Sequence, residues 1–160
     1  MAKKGSKDQR PDAPRVIQNR RARYDYEFLS TFEAGIVLAG SEVKSLWLGR
    51  AHLTDAYCVV KNGEMWVLNM DIEPYEHSSH FQPERRRDRK LLLHRREIEL
   101  IDRRSMEKGL TIVPTKVYFN HGKAKLEIAL ARGKRQYDKR EQLAKDEARR
   151  DMERARNLRE

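Results

Sequence analysis

The sequence predicts a mainly β protein: one small antiparallel barrel with about two to three helices, followed by a basic C-terminal tail. Three observations carry this. Apolar-rich runs flank Lys61-Asn62-Gly63-Glu64 and again Asn120-His121-Gly122-Lys123, which is how antiparallel hairpins announce themselves. The 160 residues, 38% of them hydrophobic, can fill one modest core but not two. The formal charge of +10 sits at the ends: residues 1–23 carry a net +6, residues 132–160 a net +4, and the stretch between them none of the excess.

Taken in order, Tyr26 to Leu38 mixes aromatic and β-branched residues with polar ones and reads as a long or paired strand, with Gly35 marking a bulge or bend. Gly40-Ser41-Glu42 opens a short helix in which Val43, Leu46 and Trp47 recur at helical spacing; Ser41 is the expected cap and Gly49 the stop. Residues 53–60 and 64–72 form the first hairpin. Residues 74–83, with two prolines, two serines and two histidines, read as a loop. Glu84 to about Arg104 lacks any helix breaker and is expected to be the longest helix of the core, ending near Lys108-Gly109. Leu110–Phe119 and Ala124–Ala131 form the second hairpin, with Leu126, Ile128 and Leu130 facing the core and Lys125, Glu127 and Ala129 facing solvent. Several short antiparallel strands with an inserted helix suit a barrel of the oligonucleotide-binding type (OB-fold-like) better than a parallel sheet.

The organisation that follows is a flexible basic arm over 1–18, a barrel with its helices over 19–132, and a basic tail over 133–160. From about Asp138 the tail lacks Gly and Pro, yet of its helical stripe Leu143, Ala148, Met152 and Ala155 only Leu and Met are large. Such a helix is expected to be disordered in the free protein and to form on a partner.

The charge suits a polyanion, nucleic acid first and an anionic membrane surface as the rival. No apolar run reaches the length of a membrane span, and nothing reads as a signal peptide, so a cytoplasmic location is expected. Cys58, the one cysteine, stands among Ala56, Tyr57, Val59 and Val60 and reads as a small buried hydrophobe. His77 and His80 lack a matching ligand set, and Asp55, Asp71 and Glu73 show no marked general base; no metal, cofactor or enzymatic activity is expected.

Three segments fit RNA. In Asn19-Arg20-Arg21-Ala22-Arg23-Tyr24, arginine forks match phosphates and the tyrosine offers a stacking face, although a solvated charge run beside a core tyrosine fits equally. Arg85, Arg86, Arg87, Arg89, Lys90, Arg95 and Arg96 surround Leu91-Leu92-Leu93, and part of this cluster is expected on phosphate. In Gly133-Lys134-Arg135-Gln136-Tyr137-Asp138-Lys139-Arg140 one aromatic stands among five charges, which favours stacking on a base over an ordinary helix start.

Together these blocks resemble the small protein B (SmpB) family of transfer-messenger-RNA-binding, or SsrA-binding, proteins of bacterial ribosome rescue. The resemblance runs from Asn19 to Arg140 through Asn19–Tyr24, Phe32-Glu33-Ala34-Gly35, Gly40–Leu46, Asp55-Ala56-Tyr57, Arg89–Arg95, Lys108–Pro114, Gly133-Lys134-Arg135 and Asp138-Lys139-Arg140. It implies an adaptor that binds the tRNA-like domain of transfer-messenger RNA, as a monomer, and delivers it to stalled ribosomes. It also implies a tail that enters the decoding centre and the empty mRNA path and folds there. By resemblance Glu33, Leu92 and Lys125 are RNA-binding positions, the Asn19–Tyr24 block is another part of that surface, and Tyr137, Asp138, Lys139 and Arg140 are the decoding-centre end of the tail. The family usually has a basic residue at position 47; Trp47 here is expected to pack beside Val43 and Leu46. A general single-strand-binding barrel and a metal-dependent nuclease stand as the alternatives from other classes.

Overall fold

The computed structural model describes residues 13–78, 82–107, 109–134 and 136–158, with backbone alone at 136–138. In chain order the elements are β1 (Ile17–Gln18), α1 (Arg20–Asp25), β2 (Tyr26–Ile36), α2 (Gly40–Trp47), β3 (Ala51–His52), β4 (Tyr57–Lys61), β5 (Glu64–Leu68), β6 (Asp71–Ile72), β7 (Arg89–Leu92), α3 (Arg95–Ser105), β8 (Leu110–Asn120), β9 (Lys123–Gly133) and α4 (Gln136–Asn157). All pairings are antiparallel. The main sheet runs β1-β8-β4-β5-β7-β2-β9, and β9 also pairs with β8, so the sheet closes on itself as a barrel; β3 and β6 form a separate ribbon. Closure leaves no long unpaired edge in the barrel wall.

The two hairpins form where expected. Asn62 and Gly63 have φ of 51° and 75°, and His121 and Gly122 have 49° and 75°, which is the backbone of a two-residue turn with both central residues left-handed. Inside the barrel Met65, Val67, Leu91, Leu126, Ile128 and Leu130 are fully buried. Cys58 joins this core, and burial pushes its thiol well above the ordinary value, so it is inert.

Five expectations need correction. The expected helix from Glu84 begins only at Arg95, because Arg89–Leu92 is a strand, paired to β5 through Met65↔Leu91 and to β2 through Gly35↔Leu92. Its inward positions are Leu91 and Arg89, and an arginine at an inward position hides the strand's alternation. Arg89 is fully buried because Glu42, itself buried, takes its charge: Arg89 Nε and Nη2 donate to Glu42 Oε2 at 2.8 and 2.5 Å. The rest of the fork donates to the carbonyls of Met70 (2.6 Å) and Arg85 (2.9 Å). Second, Ser41 does not cap α2. The cap is Ala39, whose backbone N–H donates to Glu42 Oε1 at 3.0 Å, so one carboxylate both caps the helix and neutralises the buried arginine.

Third, the irregularity in β2 falls between Phe28 and Ser30, not at Gly35. Gly35 is needed for a close approach: a Cβ there would stand 3.3 Å from Leu92 Cβ. Fourth, the arm expected over 1–18 ends sooner, since Ile17 and Gln18 pair with Val117 and Lys116; residues 1–12 lie outside the described residues. Fifth, the outer face of β9 is not wholly in solvent. Ala129 and Ala131 are buried beneath Ala22 of α1, with Val113, Tyr26 and Phe28 packed around them, and small side chains let the helix sit close.

The Glu42–Arg89 pair sets the acid stability of the fold. Burial pushes the Glu42 carboxyl up, but hydrogen bonds from Arg87, Ala39 and Arg89, and the charge of Arg89, outweigh it and leave the pKa below 4.5. The unfolded chain therefore binds the extra proton first, so this contribution is complete above the ordinary glutamate range and is lost as pH falls through the lowered folded value. Urea unfolding should show stability dropping below about pH 4.5 with a flatter acid limb in Glu42→Gln. Arg89→Met, which leaves Glu42 buried with Arg87 alone, should cost about 3 kcal/mol at neutral pH in the same measurement.

Candidate nucleic-acid interface

Register brings the first group of side chains together. Across β7, β2, β9 and β8, the residues Leu92, Gly35, Lys125 and Tyr118 stand in one row through the pairs Gly35↔Leu92, Gly35↔Lys125 and Tyr118↔Lys125. Glu33, two residues before Gly35, shares the outer face. The result is an open groove of about 450 Å³ lined by Glu33, Gly35, Leu92, His94, Glu97 and Lys125. Leu92 is 54% exposed, an apolar face on an otherwise charged surface. Lys125 Nζ lies 4.0 Å from Glu33 Oε1, too long for a tight pair, so both keep capacity for a ligand. Tyr118 donates its hydroxyl to Glu33 Oε2; burial, that hydrogen bond and the charges of Glu33 and Glu127 push its pKa up to about 12. Lys90 points outward on the same side as Leu92 and pairs with Glu64 at 3.1 Å. A carboxylate acceptor, an apolar platform and an ammonium are the three contacts a nucleotide takes: a base edge, a base face and a phosphate.

The second group is α1. Arg20, Arg21, Arg23 and Tyr24 are all exposed. Both groups occupy one surface, since Lys125, Glu127, Ala129 and Ala131 alternate onto the outer face of β9 and α1 covers the last two. Six residues of strand separate them, about 20 Å. The bulge at Leu29 maintains this: with the extra residue, Phe28, Thr31, Glu33 and Gly35 all pair with outward positions of β9, and without it every residue on one side would flip inward.

Two candidates from the sequence lie elsewhere. Asn19 is 3% exposed, its amide donating to the carbonyls of Leu53 (3.1 Å) and Pro114 (2.8 Å) and its oxygen accepting from Ala22 N–H (3.1 Å). It caps α1 and ties it to the loop after β3 and to β8 rather than facing a ligand. Arg89 is consumed inside the barrel. Of the rest of that cluster, Arg85 pairs with Asp71 (2.9 Å), Arg86 with Asp55 (3.7 Å) and Arg87 with Glu42 (2.5 Å). Asp55, Asp71 and Glu73 thus answer to separate partners, Glu73 to His52 at 3.2 Å. Among the described residues no group of His, Cys, Asp or Glu is placed to hold a metal ion, and no helix is long and apolar enough to cross a membrane. His77 packs edge-on against Tyr75, and His80 lies outside the described residues. Trp47 packs edge-on against Phe119, centroids 5.2 Å apart.

The tail leaves β9 directly over α1. Lys134 donates its backbone N–H to Asp25 O (2.8 Å) and its Nζ to Arg23 O (3.0 Å). Lys139 Nζ reaches Asp25 Oδ1 at 3.1 Å and sits 5.6 Å from the Tyr24 ring centroid. Arg140 is exposed; Arg135 and the side chains of Tyr137 and Asp138 lie outside the described residues. Beyond this root α4 is an exposed helix, with Leu143 45% and Met152 73% exposed.

Comparison with known proteins identifies the family. The family model described as "SmpB protein" matches residues 16–158. The chain belongs to the SmpB family. Among SmpB-family relatives, the "SsrA-binding protein" of Thermobifida fusca (strain YX) is 52% identical over 155 residues, 97% of each chain. That of Syntrophomonas wolfei is 54% identical over 140 residues, 88% of this chain and 89% of the other. A solved chain described as "tmRNA-SmpB: a journey to the center of the bacterial ribosome" superposes with a TM-score of 0.65 at 48% identity, covering 79% of this chain and 92% of that one.

Tyr118 and Asp25 were missed in the sequence. Tyr118 was within reach, because a two-residue turn at His121-Gly122 pairs 120 with 123 and hence 118 with 125. Asp25 carried no signal, since its partner Lys139 lies across the fold. The division between exposed and inward arginines and amides is testable by unfolding. Asn19→Ala should cost about 2 to 4 kcal/mol, a lost cap plus two unpaired carbonyls. Arg20→Ala should stay within about 0.5 kcal/mol of the parent.

Proposed function

We propose that this SmpB-family chain is an RNA-binding adaptor without chemistry of its own. Its barrel binds the tRNA-like domain of transfer-messenger RNA as a monomer in the cytoplasm and delivers it to stalled ribosomes for trans-translation. The observation that carries the reading is the single outer face of β2 and β9, with the Glu33–Leu92–Lys125 groove at one end and the Arg20–Tyr24 helix at the other. Two anchor points held about 20 Å apart match a ligand of fixed shape, which a folded RNA supplies. Relatives at about half identity over nearly the whole chain are named SsrA-binding proteins, and the solved relative comes from a tmRNA–SmpB assembly on the ribosome. Glu33 serves as acceptor for a base edge, Leu92 as the surface under a base, and Lys90, Lys125, Arg20, Arg21 and Arg23 as phosphate partners, with Tyr24 stacking.

The tail has the other task. Lys134, Arg135, Tyr137, Asp138, Lys139 and Arg140 engage the decoding centre, and α4 beyond them enters the mRNA path. Its thin apolar stripe makes its helicity depend on what it meets there.

Binding measured in competition should favour transfer-messenger RNA over unstructured RNA of equal length, and equal affinities would point to a general single-strand binder. With about five neutralised phosphates, log affinity against log salt should slope between about −3.5 and −4.5. Lys125→Gln should weaken binding and flatten that slope by about 1, with unfolding unchanged within about 0.5 kcal/mol. Truncation after Arg132 should leave affinity for the RNA within a few fold and abolish rescue of stalled ribosomes. A large loss of affinity would place the tail in the RNA site.

A further inference from the structure

The end of α1 holds an arrangement that neither RNA binding nor ribosome binding explains by itself. Asp25 accepts from Lys139 on one oxygen at 3.1 Å and from Arg21 Nε on the other at 3.4 Å. The Lys139 ammonium also lies against the ring of Tyr24, 5.6 Å from its centroid, a cation–π distance. Lys134 reinforces the seat through Asp25 O and Arg23 O. The side chains of Lys139 and Asp25 are 30% and 28% exposed, so the contact is partly desolvated rather than a passing surface pair. The ammonium therefore occupies the ring face that a nucleobase needs.

We propose that the Tyr24–Asp25 face of α1 has two alternative occupants, Lys139 of the chain's own tail in the free protein and a nucleobase in the RNA complex, with Asp25 the positioning residue that holds the tail root down until RNA arrives. This rests on the RNA-binding role of α1. A base stacked on Tyr24 excludes the ammonium from the ring, and Lys139 then keeps only its pair with Asp25. RNA capture thus lifts the root of α4 off the barrel and frees Lys139 for the ribosome, so loading precedes engagement. By linkage the opposition is mutual: whatever RNA does to the docked root, the docked root does to RNA affinity. A partly exposed pair of this kind is worth up to about fivefold in an equilibrium.

The decisive variant is Lys139→Gln in the full-length protein, because it sets the latch against simple electrostatics. Removing a cation from a protein that binds a polyanion ordinarily weakens binding. Here Lys139→Gln should tighten transfer-messenger RNA binding about 2- to 5-fold, and Lys139→Arg, which keeps the charge and the reach, should stay near the parent. In an Asp25→Asn background, Lys139→Gln should bring no further gain, since the latch is already open. Amide hydrogen exchange over residues 136–142 should quicken when RNA is added to the parent protein. Weaker or unchanged binding by Lys139→Gln, or exchange that RNA leaves unaltered, overturns the latch. A parent protein that fails to bind the RNA at all would sink the adaptor reading instead, so the two failures are distinguishable.

Discussion

The barrel depends on one buried ion pair. Arg89 has no exposed surface, and its guanidinium is satisfied on every side by Glu42 and by the carbonyls of Met70, Arg85 and Arg87. Desolvating two charges is costly, and the cost is offset only when such a network is complete. Its completion has three structural effects at once. It seats β7 between β5 and β2, which closes the wall. It fixes α2, because the same Glu42 carboxylate receives the helix's first free N–H from Ala39. It ties the segment 85–88 to the barrel, so that the exposed Arg85 and Arg86 stand at defined places beside Asp71 and Asp55. The groove inherits this precision, since Leu92 follows Arg89 by three residues on the same strand and takes its outward direction from it.

The strand partners of β7 then impose the shape of the outer face. Leu92 packs closely over Gly35, where an added Cβ would stand 3.3 Å from Leu92 Cβ and press on it, so a glycine forms the floor of the groove and Glu33 and Lys125 its walls. At the other end of the same two strands, alanines at 129 and 131 let α1 lie down on the sheet, and Asn19 ties its start to the loop at Leu53 and to β8 at Pro114. One inserted residue at Leu29 reconciles the two ends. Glycine, alanine and a bulge are small features, yet together they set a groove and a basic helix at a fixed separation on one barrel wall.

Most of this was legible where local chemistry speaks. The hairpins declared themselves through Asn62-Gly63 and His121-Gly122 and α2 through its apolar spacing and Gly49, and resemblance grouped Glu33, Leu92 and Lys125, which strand register brings together. What stayed hidden was governed by contacts far apart in sequence. Residues 84–104 favour a helix by propensity, and only the partner Glu42, 47 residues from Arg89, makes an inward arginine tolerable and the strand possible. Asn19 was grouped with the RNA surface because it opens the Asn19–Tyr24 block that the resemblance places there, whereas its hydrogen bonds run to residues 34 and 95 positions away. Ser41 has the chemistry of a cap, but Glu42 reached the free N–H from inside the helix. The bulge went to Leu29 rather than the glycine, since facing direction along β9, not backbone permissiveness, decides where the extra residue is needed.

The tail shows how the same physics links the two halves of the molecule. A 22-residue helix with large apolar side chains left in solvent gains little from packing, so its placement is decided at its root. There the chain has no freedom to avoid α1: β9 pairs with β2 up to Gly133↔Tyr26, the residue after α1, and the next backbone N–H already bonds Asp25. Chain connectivity delivers Lys139 to within one turn of helix of the Tyr24 ring. Strand pairing alone thus brings the first turn of α4 against α1, and Lys139 onto Asp25 and Tyr24.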